Sequence, residues 1–182
     1  MANVRKTSIL LLSLLCLMAP LESVRAAGPL DSQRLYGSVQ KELGGLRGNY
    51  FVQNLLVSEQ IVMGMGNPAP NVRLADGNYL ASGCRQHQCP EKAAVVVAPT
   101  GAMLAAALIY FPCIEHAKEL AQAGSNCAQH RILALFVKQK NNRPALLKDL
   151  QDWAEGEIGA ERNEYGAALV GYITKTETRI IP

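Results

Sequence analysis

Residues 79–111, YLASGCRQHQCPEKAAVVVAPTGAMLAAALIYF, decide how this chain is read. Tyr79 to Gly83 and Ala93 to Ala98 are short apolar runs, and Val95, Val96 and Val97 prefer a pleated backbone. Between them lie Cys84, Arg85, Gln86, His87, Gln88 and Cys89. Two cysteines five positions apart in an exported chain can close a small ring that holds one imidazole at its tip. Pro99, Thr100 and Gly101 then turn the chain into Met103 to Phe111. The stretch reads as an antiparallel meander displaying a ring at a hairpin end, where function often concentrates.

Export governs how every cysteine is read. Arg5 and Lys6 precede an apolar run from Ile9 to Met18, and Pro20 and the stretch Val24, Arg25, Ala26, Ala27 follow it. This is the pattern of a secretory signal peptide, with cleavage expected after Ala26 and Cys16 lost with it. The apolar run is shorter than the roughly 20 residues of a membrane span, so the processed protein is expected to have no membrane attachment. Residues 27–182 suffice for one domain with a single hydrophobic core. Their basic and acidic residues nearly balance, and no basic run with interleaved aromatics occurs, which argues against a nucleic-acid partner.

Cys84, Cys89, Cys113 and Cys127 remain after processing, and four cysteines allow three pairings. In an oxidising compartment the local pairs are favoured, Cys84 with Cys89 and Cys113 with Cys127. A zinc reading competes, because each histidine lies three residues after a cysteine: His87 after Cys84, His116 after Cys113, His130 after Cys127. Exported thiols usually oxidise, and none of the three repeats forms a paired-cysteine zinc knuckle. No metal and no other cofactor is therefore expected.

Outside the meander, Asp31 is positioned to cap a helix with Leu35, Val39 and Leu43 on one face, ended by Gly44 and Gly45. Tyr50 to Met63 is densely apolar with ambiguous period, so helix and strand both stay open. Gly64, Gly66, Asn67, Pro68 and Pro70 enforce a loop, and Val72 to Leu74 forms a short strand before a turn at Ala75 to Asn78. A helix is expected over Glu115 to Ala123 and a strand over Ile132 to Val137. A second amphipathic helix should start at Pro144, present Leu146, Leu147, Leu150 and Trp153, and stop near Gly156. Tyr165 to Ile173 is expected to be a strand and Thr174 to Pro182 a tail. The fold class is α+β: a central antiparallel β-sheet, a few peripheral helices and a disulfide-bridged protruding loop.

The segment from Leu74 through the ring to Cys89, with the strand Ala93 to Ala98 and its Met103 partner, resembles the Ivy family of periplasmic inhibitors of vertebrate, C-type lysozyme. The family's loop typically reads Cys, Lys, Pro, His, Asp, Cys. Cys84, His87 and Cys89 agree with it, Arg85 replaces the lysine conservatively, and Gln86 and Gln88 replace the proline and the acid. The likeness covers about Val72 to Tyr110 and fades towards Trp153. It implies a periplasmic protein that is often a homodimer and that occludes the lysozyme cleft with its bridged loop. Lysozyme works with two carboxyl groups about 5 Å apart, and an imidazole between them can donate hydrogen bonds to both. The loop's departures leave a second client open, such as the cell's own lytic transglycosylases.

Plainer readings stand beside these. A lone histidine on a hairpin is usually surface polarity, Cys113 with Cys127 reads as a staple, and Trp153 as core. An enzyme would need a cysteine and histidine dyad oriented by Asp76 or Glu115, and a bridged sulfur cannot act as the nucleophile. Serines sit in no nucleophile elbow. The chain is expected not to be an enzyme.

Overall fold

The computed structural model describes residues 31–112, 130–167 and 169–182. Helix α1, Ser32–Leu43, starts where Asp31 accepts a hydrogen bond from the Gln33 backbone N–H, and it buries Leu35, Val39 and Leu43 at fourfold spacing. After the two-residue strand β1 (Arg47–Gly48), the ambiguous stretch resolves into a loop, the two-residue strand β2 (Leu55–Leu56) and helix α2 (Val57–Gly64). Gln60 of α2 organises that loop. Its Oε1 accepts from the backbone N–H groups of Tyr50, Phe51 and Val52, while its Nε2 donates to the carbonyls of Gly48 and Leu55.

The main sheet contains β3 (Asn67–Pro68), β4 (Val72–Arg73), β5 (Tyr79–Arg85), β6 (Gln88–Val97), β7 (Met103–Tyr110), β8 (His130–Lys138) and β9 (Tyr172–Ile181). Its order is β3-β5-β6-β7-β8-β9, with β4 beside β3 along the same edge of β5. The meander β5-β6-β7-β8 is antiparallel throughout. The predicted turn before β5 is present: Leu74 N–H donates to the Asn78 carbonyl, and the Asp76 carboxylate accepts from the Asn78 N–H and side-chain amide.

The strands read as unbroken apolar runs because helices cover both faces of the sheet. Ala93, Val95 and Val97 of β6 pack with α1 and α2, whereas Ala94 and Val96 face helix α3 (Pro144–Tyr165). The same alternation divides Ala106 and Leu108 from Ala105, Ala107 and Ile109 on β7. Strands buried on two faces lose the apolar–polar alternation that marks a half-buried strand. On the α1/α2 side, Tyr50 sits edge-on to Tyr110 and Phe136, with ring centroids 5.0 and 5.4 Å apart.

Two C-terminal expectations need correction. Helix α3 does not stop at Gly156; it continues to Tyr165, because Ala154 and Ile158 extend the buried Leu146, Leu150 stripe and outweigh two helix-weakening glycines. The strand expected at Tyr165 to Ile173 lies instead at Tyr172–Ile181, in the residues read as a tail. It pairs with β8 in parallel, and α3 supplies the crossover that parallel neighbours require, so one parallel edge joins an otherwise antiparallel sheet. The helix expected over Glu115 to Ala123, the Cys113–Cys127 pair and His116 lie outside the described residues. Among the described residues, no helix is long and apolar enough to cross a membrane.

Candidate functional site

The ring sits at the end of the β5–β6 hairpin. Cys84 and Cys89 are bonded, with S–S 2.03 Å and Cα atoms 4.7 Å apart. Arg85 pairs with Gln88, leaving Gln86 and His87 as the two turn residues. Gln86, His87, Gln88 and Cys89 are exposed, Arg85 is partly covered and Cys84 is buried. His87 makes no hydrogen bond within the described residues, and its φ of +62° lies in the left-handed region that side chains larger than glycine seldom occupy. Histidine tolerates that region better than most, so the turn holds its imidazole outward at modest conformational cost.

Beneath this tip, the structure supports the ring from two sides. On one side, β3 pairs Asn67 with Cys84 and Pro68 with Gly83, and the Asn67 amide lies 3.9 Å from the Cys84 sulfur. Gly83 is required there, since a Cβ would stand 2.6 Å from the Asn67 carbonyl oxygen and 3.0 Å from the Met65 Cα. Gly66 passes under the turn, its notional Cβ 3.4 Å from the Gln86 nitrogen.

On the other side the ladder is bulged. Cys84 pairs with Lys92 while Arg85 pairs with Gln88, so Cys89, Pro90 and Glu91 are three extra residues on β6. Pro90 has no N–H to give the ladder, and a bulge is where a strand accommodates it. The bulge carries Glu91 to Arg85, with Nη1 and Oε2 2.5 Å apart, and the same guanidinium lies 5.8 Å from the centre of the Phe51 ring. Burial pushes the Glu91 carboxyl above its ordinary value, and the hydrogen bond and charge of Arg85 pull it down without cancelling the shift. Arg85, which stands where the resemblance expects a lysine, is thus turned towards its own domain.

Behind the bulge, Lys92 meets Glu157 at 3.0 Å and Glu161 at 3.2 Å, and Arg131 meets Glu161 at 2.7 Å. Lys92 and Arg131 are both buried, so this network ties the base of the ring and the start of β8 to the last turns of α3. Nothing in the sequence pattern pointed to it, because its paired cations and carboxylates lie 30 to 69 residues apart by position. Glu91 left a fainter trace, as an acidic residue flanking the ring opposite Arg85.

The Cys84 thiolate is consumed in the disulfide, and among the described residues no three His, Cys, Asp or Glu side chains gather to hold a metal. His130 opens β8, half-buried, at the ring end of the sheet but two strands across from β6. Asp76 is engaged in the turn before β5 rather than with any cysteine or histidine.

No curated protein and no solved structure matches the chain. Residues 34–109 match the model of a family described as inhibitor of vertebrate lysozyme (Ivy). The match supports a lysozyme-inhibitor role in general, and its family is one of inhibitors rather than enzymes. From the first turns of α1 to the end of β7, ring included, the chain is similar to the Ivy family.

Proposed function

We propose that the protein is an exported, periplasmic inhibitor of C-type lysozyme that blocks the enzyme's cleft with the Cys84–Cys89 ring, His87 leading. The observation that carries this reading is the exposed two-residue turn, closed by a disulfide and holding an unpartnered imidazole outward. A cleft that works with two carboxyl groups about 5 Å apart offers acceptors on either side of an inserted ring. Both imidazole nitrogens donate once the ring is protonated, and the bonds to carboxylates are then charge-assisted. The closed ring keeps the ordering cost of binding low.

Gln86 and Gln88 favour one further reading. They stand where the resemblance expects proline and an acid, and they leave the tip without the negative charge that the acid would supply. A ring altered at these two places suits a different peptidoglycan-cleaving client, such as an endogenous lytic transglycosylase. Titrating the oxidised protein against C-type, G-type and phage-type muramidases and a lytic transglycosylase separates the two. Inhibition confined to the C-type enzyme is expected; inhibition confined to the transglycosylase transfers the function to that client.

A further inference from the structure

We propose that Glu91 positions the ring, acting through Arg85, so that Phe51, Arg85 and Glu91 form a clamp that sets the bearing of His87. The inference rests on the inhibitor reading and adds to it a residue outside the ring. Arg85 is the last residue before the turn, and whatever fixes its side chain fixes the strand end that carries Gln86 and His87. Its guanidinium is held by the Glu91 carboxylate on one side and the Phe51 ring on another. Phe51 is itself fixed, since its backbone N–H donates to the buried Gln60 at 2.7 Å. The clamp thereby connects α2 to the tip through a continuous set of contacts.

Two features argue that this arrangement serves orientation rather than stability. The three-residue bulge interrupts the β5–β6 ladder just where an unbroken hairpin would pair more strongly, and its effect is to bring Glu91 beside Arg85. The Glu91 carboxyl is also held in a place that disfavours its charge, a penalty Arg85 only partly offsets. A charge kept at such a position fits a role in holding Arg85.

The test uses the full-length, processed, oxidised protein and compares wild type with Glu91→Gln, Glu91→Ala, Arg85→Ala, the double alanine variant and the exchanged pair Arg85→Glu with Glu91→Arg. Two readouts are taken: the inhibition constant against C-type lysozyme, and the order of the Gln86, His87 and Gln88 amides by NMR relaxation. Each single alanine variant is expected to inhibit about 5- to 30-fold less well, the double variant no worse than either single, and the exchanged pair better than both. Glu91→Gln is expected to be at least as stable as wild type yet a weaker inhibitor with more mobile ring amides, which a purely structural role would not produce. Unchanged inhibition and unchanged amide order in Glu91→Ala overturn the clamp. An additive double variant also overturns it, because Arg85 would then be touching the target itself. If wild type inhibits no lysozyme, the inhibitor reading fails, and the amide order alone still decides whether Glu91 holds the ring.

Discussion

Opening the ring is the perturbation whose effect can be worked out most fully. Cys84→Ala with Cys89→Ser removes the bond while avoiding a buried hydroxyl at position 84, which packs inside. Six residues span the closed loop, and the chain-entropy model assigns such a bridge about 2 kcal/mol. The β3 pairing and the Arg85–Glu91 contact survive the change, so the fold should persist. The effect on binding should be proportionally larger. Gln86, His87 and Gln88 are exposed, and once the bond is gone they keep only the Arg85–Gln88 pairing and the close pass of Gly66 under Gln86. Fixing a residue's backbone costs about 1–2 kcal/mol, and the remaining anchors retain part of that order. An affinity loss of about 10- to 100-fold follows, equivalent to about 1.4–2.8 kcal/mol. Urea denaturation reads the first quantity as a midpoint shift at constant slope, and lysozyme inhibition reads the second. A variant that is less stable by about 2 kcal/mol but inhibits like wild type would refute the reasoning, since the ring's rigidity would then have no part in binding.

Three further outcomes follow from the interior. Gln60→Leu should destabilise the fold by about 3–5 kcal/mol in denaturant titration, because three backbone N–H groups and two carbonyls lose their partner together. Glu42 is held below its ordinary 4.5 by its hydrogen bond to Lys138, so its contribution is present above pH 4.5 and is lost as pH falls through the folded-state value. Glu42→Gln should accordingly lower stability at neutral pH and leave it little changed in strong acid. Glu91 has the opposite sign: burial raises it, so its neutral form is favoured and stability falls as pH rises from 4.5 through the folded-state value. The stability difference between Glu91→Gln and wild type should therefore favour the variant at pH 7 and disappear below pH 4.5.

The parts of this fold that were legible in the sequence are those whose signal is local. Asp31, the fourfold apolar spacing of α1 and the Asp76–Gly77–Asn78 turn are each decided within a few residues. The triple valine and the alanine-rich β7 could be read as strands although both faces are buried, because β-branched composition and flanking turns replaced the missing alternation. Strand β9 was not legible. Thr174, Thr176 and Thr178 alternate with Lys175, Glu177 and Arg179, and a mostly exposed edge strand of that composition looks like a polar tail. Only pairing with β8, more than 40 residues away, makes it a strand.

The candidate site divides in the same way. Cys84, His87 and Cys89 announced the ring by type and spacing, and the resemblance added the partner. The inward turn of Arg85 was hidden, because it depends on a bulge that brings in Glu91 and on a loop, ordered by Gln60, that brings in Phe51. Neither contact leaves a periodic trace. Gly83 and Gly66 likewise gave no sign that one admits a neighbouring backbone and the other underlies the turn.

The central claim is that His87 is the group that enters the cleft, and one comparison tests it most directly. Inhibition of C-type lysozyme on a cell-wall suspension is measured for the oxidised wild type and for His87→Asn, His87→Gly and His87→Ala. Asparagine and glycine accept the φ of +62° at this position, whereas alanine does not relieve it. All three variants should remain folded and lose most of the inhibition to a similar extent, because each removes the imidazole. Inhibition retained by the asparagine and glycine variants and lost only in alanine would contradict the account, since the turn's backbone rather than its histidine would then be what lysozyme recognises.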